Sequence, residues 1–165
     1  MQARRQQLTL FITDQKETIE KIRATFNPVQ FNLIAAHVTL CRDDEIGQLA
    51  KIFENIRSIG SEKPIKIAFG PVERFGEGNG VLLPAKMPSN EFYELRRAVL
   101  KGINEFPGNP LPHVTLMHPG NAICTEEIYE QIIKYELPTE LSFDSISLIE
   151  QRNGGRWTTL EQFPL

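Results

Sequence analysis

The chain has 165 residues, which is enough for one compact domain. Hydrophobic residues make up 41% and charged residues 24%, which excludes a mainly disordered chain because such a chain could not bury enough apolar surface. Eighteen Lys and Arg against 21 Asp and Glu give a net charge of −3. This total leaves no basic surplus for binding long duplex nucleic acid, although it is compatible with a local basic patch.

The first half of the chain predicts alternating strands and helices. Apolar alternation indicates strands, and apolar residues spaced three or four apart indicate helices. Asp14 and Glu17 have the spacing of a capping box, which would begin the first helix, and Asn27 with Pro28 would end it. The predicted elements are a strand at 7–13, a helix at 14–27, a strand within 31–42, a helix at 44–59, and strands at 65–75 and 80–85.

The second half predicts the same order of elements: a helix at 90–103, a strand at 113–118, a helix at 125–135, and strands at 141–152 and 157–163. The tetrapeptide His-Val-Thr-Leu at 37–40 recurs at 113–116, which is 76 residues later. The same offset aligns a helix at 52–56 with one at 128–132, and two strands and two glycine turns as well. We therefore predict one domain over residues 1–165 that consists of two duplicated lobes.

Each copy of the repeated tetrapeptide places a histidine and a threonine on one side of a strand. Residues two apart in a strand point to the same face, so His37 lies beside Thr39, and His113 beside Thr115. If the lobes pack with twofold symmetry, the two pairs face each other. Two imidazoles can serve as base and acid near neutral pH, and two hydroxyls suit the oxygens of a phosphate. The set predicts metal-independent cleavage of a phosphodiester.

The paired His-x-Thr motifs resemble those of the 2H phosphoesterase superfamily, which includes 2′-5′ RNA ligase-like proteins and RNA 2′,3′-cyclic phosphodiesterases. The resemblance covers nearly the whole chain and implies a bilobal α+β fold, with antiparallel sheets flanked by helices and a central cleft. It implies that His37 and His113 are the acid/base pair and that Thr39 and Thr115 bind phosphate. It also implies substrates that are RNA termini or small cyclic nucleotides, no cofactor and no metal; we further expect a monomer.

Two further residues are candidates for substrate binding. Arg74 and Trp157 lie beside the glycine turns at 76–80 and 153–155, where aromatic and basic side chains can stack on bases and contact phosphates. Trp157 could equally be a core anchor. Arg96 and Arg97 fall on a helix, where the pattern favours a solvated face.

Three other residues with possible chemistry receive structural interpretations. Strand alternation places Cys41 on the same face as Thr39, where a Cys-His nucleophile is conceivable, but its repeat counterpart Met117 favours packing. Arg42 and His118 lie at strand ends, where turn roles are favoured over phosphate contacts. The spacing of the cysteines and histidines matches no zinc pattern.

The low cysteine count and the absence of a long apolar segment favour a cytoplasmic protein with no membrane partner, because the run at 8–12 is too short for a signal peptide or a membrane span. The leading functional hypothesis is hydrolysis of a 2′,3′-cyclic or 2′-5′ phosphodiester on RNA ends or small nucleotides. A cyclic phosphodiesterase that acts on a nucleotide metabolite is a second possibility. A non-catalytic module that binds RNA or nucleotides is the third.

Overall fold

The computed structural model describes residues 3–60 and 63–165, and it is a mixed α+β fold with antiparallel sheets, as predicted. The strands are β1 (Arg4–Phe11), β2 (His37–Cys41), β3 (Ile65–Ala68), β4 (Glu73–Phe75), β5 (Gly80–Pro84), β6 (His113–Met117), β7 (Glu140–Phe143), β8 (Ser145–Arg152) and β9 (Thr158–Pro164). The helices are α1 (Glu17–Phe26), α2 (Pro28–Leu33), α3 (Leu49–Ile59), α4 (Asn90–Val99) and α5 (Glu126–Ile132), with a short 3-10 helix at Asp43–Glu45.

Seven strands form one sheet in the order β4-β5-β6-β2-β1-β8-β9, and β3 pairs with β7 in a separate sheet. The two strands that carry the repeated tetrapeptide, β2 and β6, are neighbours at the centre of the large sheet. They meet antiparallel where Val38 lies opposite Val114. The repeat therefore brings its two copies together at the middle of the sheet.

The strands on either side of this centre are paired in matching registers. On one side, Leu8 lies opposite Cys41 and Thr9 opposite Thr39, with a register shift between them. On the other side, Val81 lies opposite Met117 and Leu82 opposite Thr115, again with a shift. The strands β1 and β5 are therefore counterparts, and so are their outer neighbours β8 and β4. These registers support the duplication; the division of residues 1–165 into two lobes stays a prediction.

The core lies on the face of the large sheet opposite the repeated histidines. Val38, Leu40, Val114 and Leu116 are each at most 1% exposed, as period-two alternation requires of a half-buried strand. Apolar residues of α1, α3 and α4, such as Ile19, Ile52 and Phe92, join them in one cluster, and so do the inward residues of β3 and β7. No helix among the described residues is long and apolar enough to cross a membrane.

Four local predictions are wrong in detail. Asp14 does not cap the first helix: its carboxylate accepts a hydrogen bond from the Gln15 N–H, and α1 begins later, at Glu17. The helix predicted at 44–59 is interrupted, with a 3-10 turn before α3. The strand predicted at 65–75 divides into β3 and β4, which belong to different sheets, and Gly70 and Pro71 lie between them. The strand predicted at 141–152 divides in the same way into β7 and β8.

Candidate active site

His37, Thr39, His113 and Thr115 lie on one face of the central strands, which we call the histidine face. The bridge between Val38 and Val114 fixes this, because the residues on either side of both valines must point away from the core. Counting outwards from the bridge places each histidine opposite the threonine of the other strand. The two histidines are then diagonal neighbours, a relationship that separates side chains by about 7–8 Å. A phosphate group fits within that separation.

Both imidazoles make the same hydrogen bond to the backbone. His37 Nδ1 lies 2.9 Å from the carbonyl oxygen of Ala35, and His113 Nδ1 lies 2.9 Å from that of Leu111. A carbonyl oxygen can only accept, so each Nδ1 carries the hydrogen. The Nε2 of each ring is therefore free to exchange a proton with a substrate or water.

The segment that leads into β2 is held by buried side chains of α1. The Arg23 guanidinium, 2% exposed, donates to the carbonyl oxygen of Ile34 at 2.7 Å, and Glu20 accepts from the N–H of Ala36 at 3.2 Å. These bonds fix the backbone on both sides of Ala35, whose carbonyl orients His37. The helix thus positions the ring through the backbone of residues 34–36.

Side chains of α4 hold the segment that leads into β6 in the same way. The hydroxyl of Tyr93 donates to the carbonyl oxygen of Pro110 at 3.0 Å, and Arg96 donates to that of Pro107 at 2.6 Å. Arg96 is 2% exposed and also pairs with Glu45 through two hydrogen bonds. The sequence prediction of a solvated face at 96–97 is therefore wrong for Arg96, although Arg97 is exposed.

Burial lowers the pKa of His37 to about 4, against the opposing effect of the hydrogen bond to Ala35. Positive charge on Arg23 and on His113 lowers this pKa further. The mutual effect of the two histidines agrees with their common face. At neutral pH the His37 ring is uncharged, and its free Nε2 is a hydrogen-bond and proton acceptor.

The Thr39 hydroxyl belongs to a small polar network. The amide of Gln7 donates to Thr9 Oγ1 at 2.8 Å and lies 3.4 Å from Thr39 Oγ1. Thr9 is directly opposite Thr39 and is fully buried. Because the Gln7 amide donates, the Thr39 hydroxyl keeps its own hydrogen for an acceptor such as a phosphate oxygen.

An aromatic ring flanks each histidine. Phe11 is opposite His37 in the sheet, with ring centroids 6.1 Å apart, and Phe75 lies 6.5 Å from His113. A Cβ on Gly80 would lie 2.6 Å from the Phe75 ring, so only glycine lets that ring lie across β5 towards the histidine. The two rings give the histidine face apolar borders on both sides.

Trp157 lies near the histidine face. It lines a cavity of about 370 Å³ together with Phe11, Phe31, Ala35 and Arg156. The backbone N–H of Trp157 donates to the carbonyl oxygen of Leu33 at 2.9 Å, and the guanidinium of Arg5 lies 5.4 Å from the centre of its ring. The cavity shares Phe11 and Ala35 with the surroundings of His37, so a ligand at the histidines could extend into it.

Arg74 is not brought to the histidines. It lies opposite Val81, whose side chain is in the core, so it points to the other side of the sheet from Phe75. Its guanidinium donates to the carbonyl oxygens of Gly78 and Cys124 and to the carboxylate of Glu126. These bonds use every nitrogen of the side chain to fasten the hairpin turn to the loop before α5.

The thiol of Cys41 is in the core and does not reach the histidine face. The register shift in β2 places Cys41 opposite Leu8, where it is fully buried, and burial raises its pKa to about 12. A nucleophilic thiolate requires the opposite environment. Strand alternation predicted the wrong face for this residue. The register shift turns Cys41 to the core, and simple alternation does not include such a shift.

Arg42 and His118 both take part in turns. His118 Nδ1 accepts from the N–H of Gly120 at 2.9 Å, and the backbone N–H of Arg42 donates to Glu45 at 2.9 Å. Within residues 3–60 and 63–165, no three side chains of His, Cys, Asp or Glu are grouped as metal ligands would be.

Sequence reasoning missed Gln7 and Phe11 as parts of the site. Both lie on β1, and only the pairing of β1 with β2 shows that they share the face of Thr39 and His37. Their alternation with the buried Leu8 and Leu10 was the available signal, but it could not identify the neighbouring strand.

A family model described as the 2′-5′ RNA ligase superfamily matches residues 12–155. The chain belongs to this superfamily, which confirms the resemblance to the 2H phosphoesterases. No curated protein sequence matches the chain.

Solved structures of low sequence identity share the fold. E. coli LigT complexed with ATP has a TM-score of 0.64 at 15% identity, with 98% of each chain covered. E. coli LigT complexed with 3′-AMP has a TM-score of 0.62 at 17% identity, also with 98% of each chain covered. A further structure, titled as a phosphoesterase, has a TM-score of 0.60 at 16% identity, with 99% of each chain covered.

Proposed function

We propose that the protein is a metal-independent phosphoesterase that hydrolyses a cyclic 2′,3′-type or 2′-5′ phosphodiester on an RNA end or a small nucleotide. The observation that carries the proposal is the common face of the two His-x-Thr motifs, fixed by the bridge between Val38 and Val114. The LigT structures that share the fold hold ATP, NADP+, 3′-AMP and phosphate, which supports a ligand with a nucleotide and a phosphate group.

His37 is the general base in this proposal and His113 the general acid. The uncharged His37 accepts a proton from water at Nε2, and the water oxygen attacks phosphorus. The bond from phosphorus to one ribose oxygen breaks, and His113 Nε2 gives its proton to that oxygen. Thr39 and Thr115 donate hydrogen bonds to the non-bridging oxygens, whose charge grows in the transition state. The low pKa of His37 supports this division of roles.

The assignment of roles predicts a bell-shaped pH dependence of kcat/KM. The acidic limb should fall as the pH drops through about 4, because protonation of His37 removes the base. Initial rates on a 2′,3′-cyclic mononucleotide between pH 3.5 and 9 would measure it, since profiles of this kind report free-enzyme pKa values. A rate that does not change over this range would contradict histidine acid/base chemistry.

The nucleobase lies in the Trp157 cavity in this proposal. Phe11 connects the cavity to His37, and Trp157 and Phe31 offer aromatic surfaces, so a base could stack there while its phosphate lies at the histidines. The volume of the cavity, about 370 Å³, suits a single base with part of its ribose.

Replacing Trp157 with alanine should raise KM for a cyclic mononucleotide about tenfold with little change in kcat, because a stacked base contributes about 1–3 kcal/mol. Steady-state kinetics of W157A would measure this. F106A is the matched control, since Phe106 is 92% exposed and lies outside the cavity. An unchanged KM in W157A would exclude this cavity as the base site.

The activity itself is tested by incubating the protein with EDTA and a panel of 2′,3′-cyclic mononucleotides and of 2′-5′ and 3′-5′ linked oligonucleotides. Turnover that survives chelation supports the proposal. Binding without turnover across the panel would favour the alternative, a module that binds RNA or nucleotides without catalysis. The panel also separates RNA ends from small nucleotides as substrates. The monomeric state and the cytoplasmic location stay predictions.

A further inference from the structure

The two helices that follow the central strands cover equivalent places on the core side of the sheet. The 76-residue offset that relates β2 to β6 also relates Phe53 of α3 to Tyr129 of α5, and Ile56 to Ile132. Both pairs face the core, since Ile56 and Ile132 are at most 4% exposed. The surroundings of the two helices can therefore be compared position by position.

Beside α3, an aromatic residue of the last strand fills the equivalent place. Phe163 of β9 packs on Phe53, with ring centroids 5.3 Å apart, and is 8% exposed. It reaches this place because β9 pairs with β8, where Phe163 lies opposite Ile146. A cavity of about 180 Å³, which Phe163 and Ile56 line, remains there.

Beside α5, the corresponding place is open. A cavity of about 440 Å³ is lined by Val72, Leu83, Tyr129 and Ile132 among others. This volume is within the range of small ligand sites. Within the described residues the sheet ends at β4 on this side, so no strand there corresponds to β9, which supplies Phe163 in the other half.

The strand that would deliver such a residue is also lacking. The strand β4 is the counterpart of β8, and it is the edge of the large sheet within the described residues. Leu148 and Arg74 occupy matching registers in β8 and β4. Two residues earlier in the sequence lie Ile146, which is on β8, and Val72, which directly precedes β4. The residue that should receive an aromatic partner, Val72, is therefore the one that borders the open cavity.

The charge and polarity of the cavity mouth also differ between the halves. Ile133 lies at the mouth of the open cavity and is 55% exposed. Its counterpart under the 76-residue offset, beside α3, is the cation Arg57. An exposed isoleucine at the entrance of an apolar cavity favours an apolar occupant. Lys86 is the charged residue in the lining, and no carboxylate of the described residues pairs with it.

We propose that the edge of β4 and the cavity beside α5 form a docking site for an extended peptide strand of a partner protein. The partner strand adds to β4 as β9 adds to β8, inserts one aromatic side chain next to Val72, and places a nearby carboxylate at Lys86. Strand addition of this kind takes affinity from main-chain hydrogen bonds and specificity from side-chain pockets. The site lies on the opposite side of the sheet from the histidines and does not depend on the proposed activity.

A suitable probe is a peptide with the sequence of residues 158–165, Thr-Thr-Leu-Glu-Gln-Phe-Pro-Leu. In the protein itself this segment forms β9 and places Phe163 against Phe53. It also carries carboxylates on both sides of its phenylalanine. Binding would be measured by calorimetry and by amide hydrogen exchange of the full-length protein. The variant I133R changes an exposed residue at the mouth, and I123R makes the same change at a residue that is 71% exposed and outside the cavity.

The proposal expects saturable binding with protection of amides at 72–75. It expects affinity at least about tenfold weaker for I133R, or for a peptide with alanine in place of phenylalanine, which corresponds to about 1.4 kcal/mol. I123R should bind like the unmodified protein, and hydrolysis by both variants should be unchanged. Absence of binding, equal binding by I133R, or binding of phenylacetate as tight as that of the peptide would overturn the proposal; the last result would indicate a small-molecule pocket.

Discussion

Replacing His37 or His113 with alanine is expected to lower kcat/KM on a 2′,3′-cyclic phosphate by about 10²–10⁴-fold, the usual contribution of one general acid or base. In the proposed mechanism each variant loses one proton transfer, because Nε2 is the ring nitrogen that the hydrogen bond from Nδ1 to the backbone leaves free. The double variant should be little worse than either single one, since both groups act in the same step.

The control for both variants is His118→Ala. His118 is exposed, and its ring accepts from the N–H of Gly120, so its loss should leave the rate within about twofold, as for a surface change of small energetic effect. Thermal unfolding of each variant would show that the fold persists. Activity that survives the loss of either motif histidine would contradict the proposed mechanism.

The second large effect concerns stability: Arg96→Ala is expected to lower the free energy of unfolding by about 3–5 kcal/mol, as for one partner removed from a buried ion pair. Arg96 is 2% exposed, and the side chain of Glu45 is 9% exposed. Burial opposes ionisation of Glu45, but hydrogen bonds from Arg96 and Arg42 hold the pKa of Glu45 below its usual value. Without Arg96, a buried carboxylate loses its principal partner.

Arg96 also donates to the carbonyl oxygens of Leu40 and Pro107, which belong to the first His-x-Thr-Leu copy and to the approach to the second. Chemical denaturation of R96A and of R97A would measure the effect, because Arg97 is the exposed neighbour on the same helix. R97A should differ from the unmodified protein by less than about 0.5 kcal/mol. A loss below about 1 kcal/mol in R96A would contradict the account of this ion pair.

The pattern of the sequence predicted the four central residues because their spacing is both local and repeated. His37 with Thr39 and His113 with Thr115 share a face by strand geometry alone, and the repeat implied that the two strands would be related. The α+β class with antiparallel sheets was implied by the resemblance to the 2H phosphoesterases, and the structure confirms it. The matching registers of β1 with β2 and of β5 with β6 agree with the predicted duplication.

Features that depend on long-range pairing could not be predicted. Arg96 resembles a surface cation in a helical pattern, and only the folded chain brings Glu45 and the carbonyl oxygen of Leu40 to it. Cys41 faces the core because β2 shifts its register against β1, which alternation does not show. Phe11 became part of the site through the pairing of two strands that α1 and α2 separate along the chain.

The most direct measurement is a titration of the protein with 3′-AMP, followed by NMR of the imidazole resonances at pH 7. If the two motifs converge on one phosphate, the Nε2 resonances of His37 and His113 should shift together with a single dissociation constant, while those of His118 stay in place. A response from one motif histidine alone, or two responses with different dissociation constants, would contradict the account.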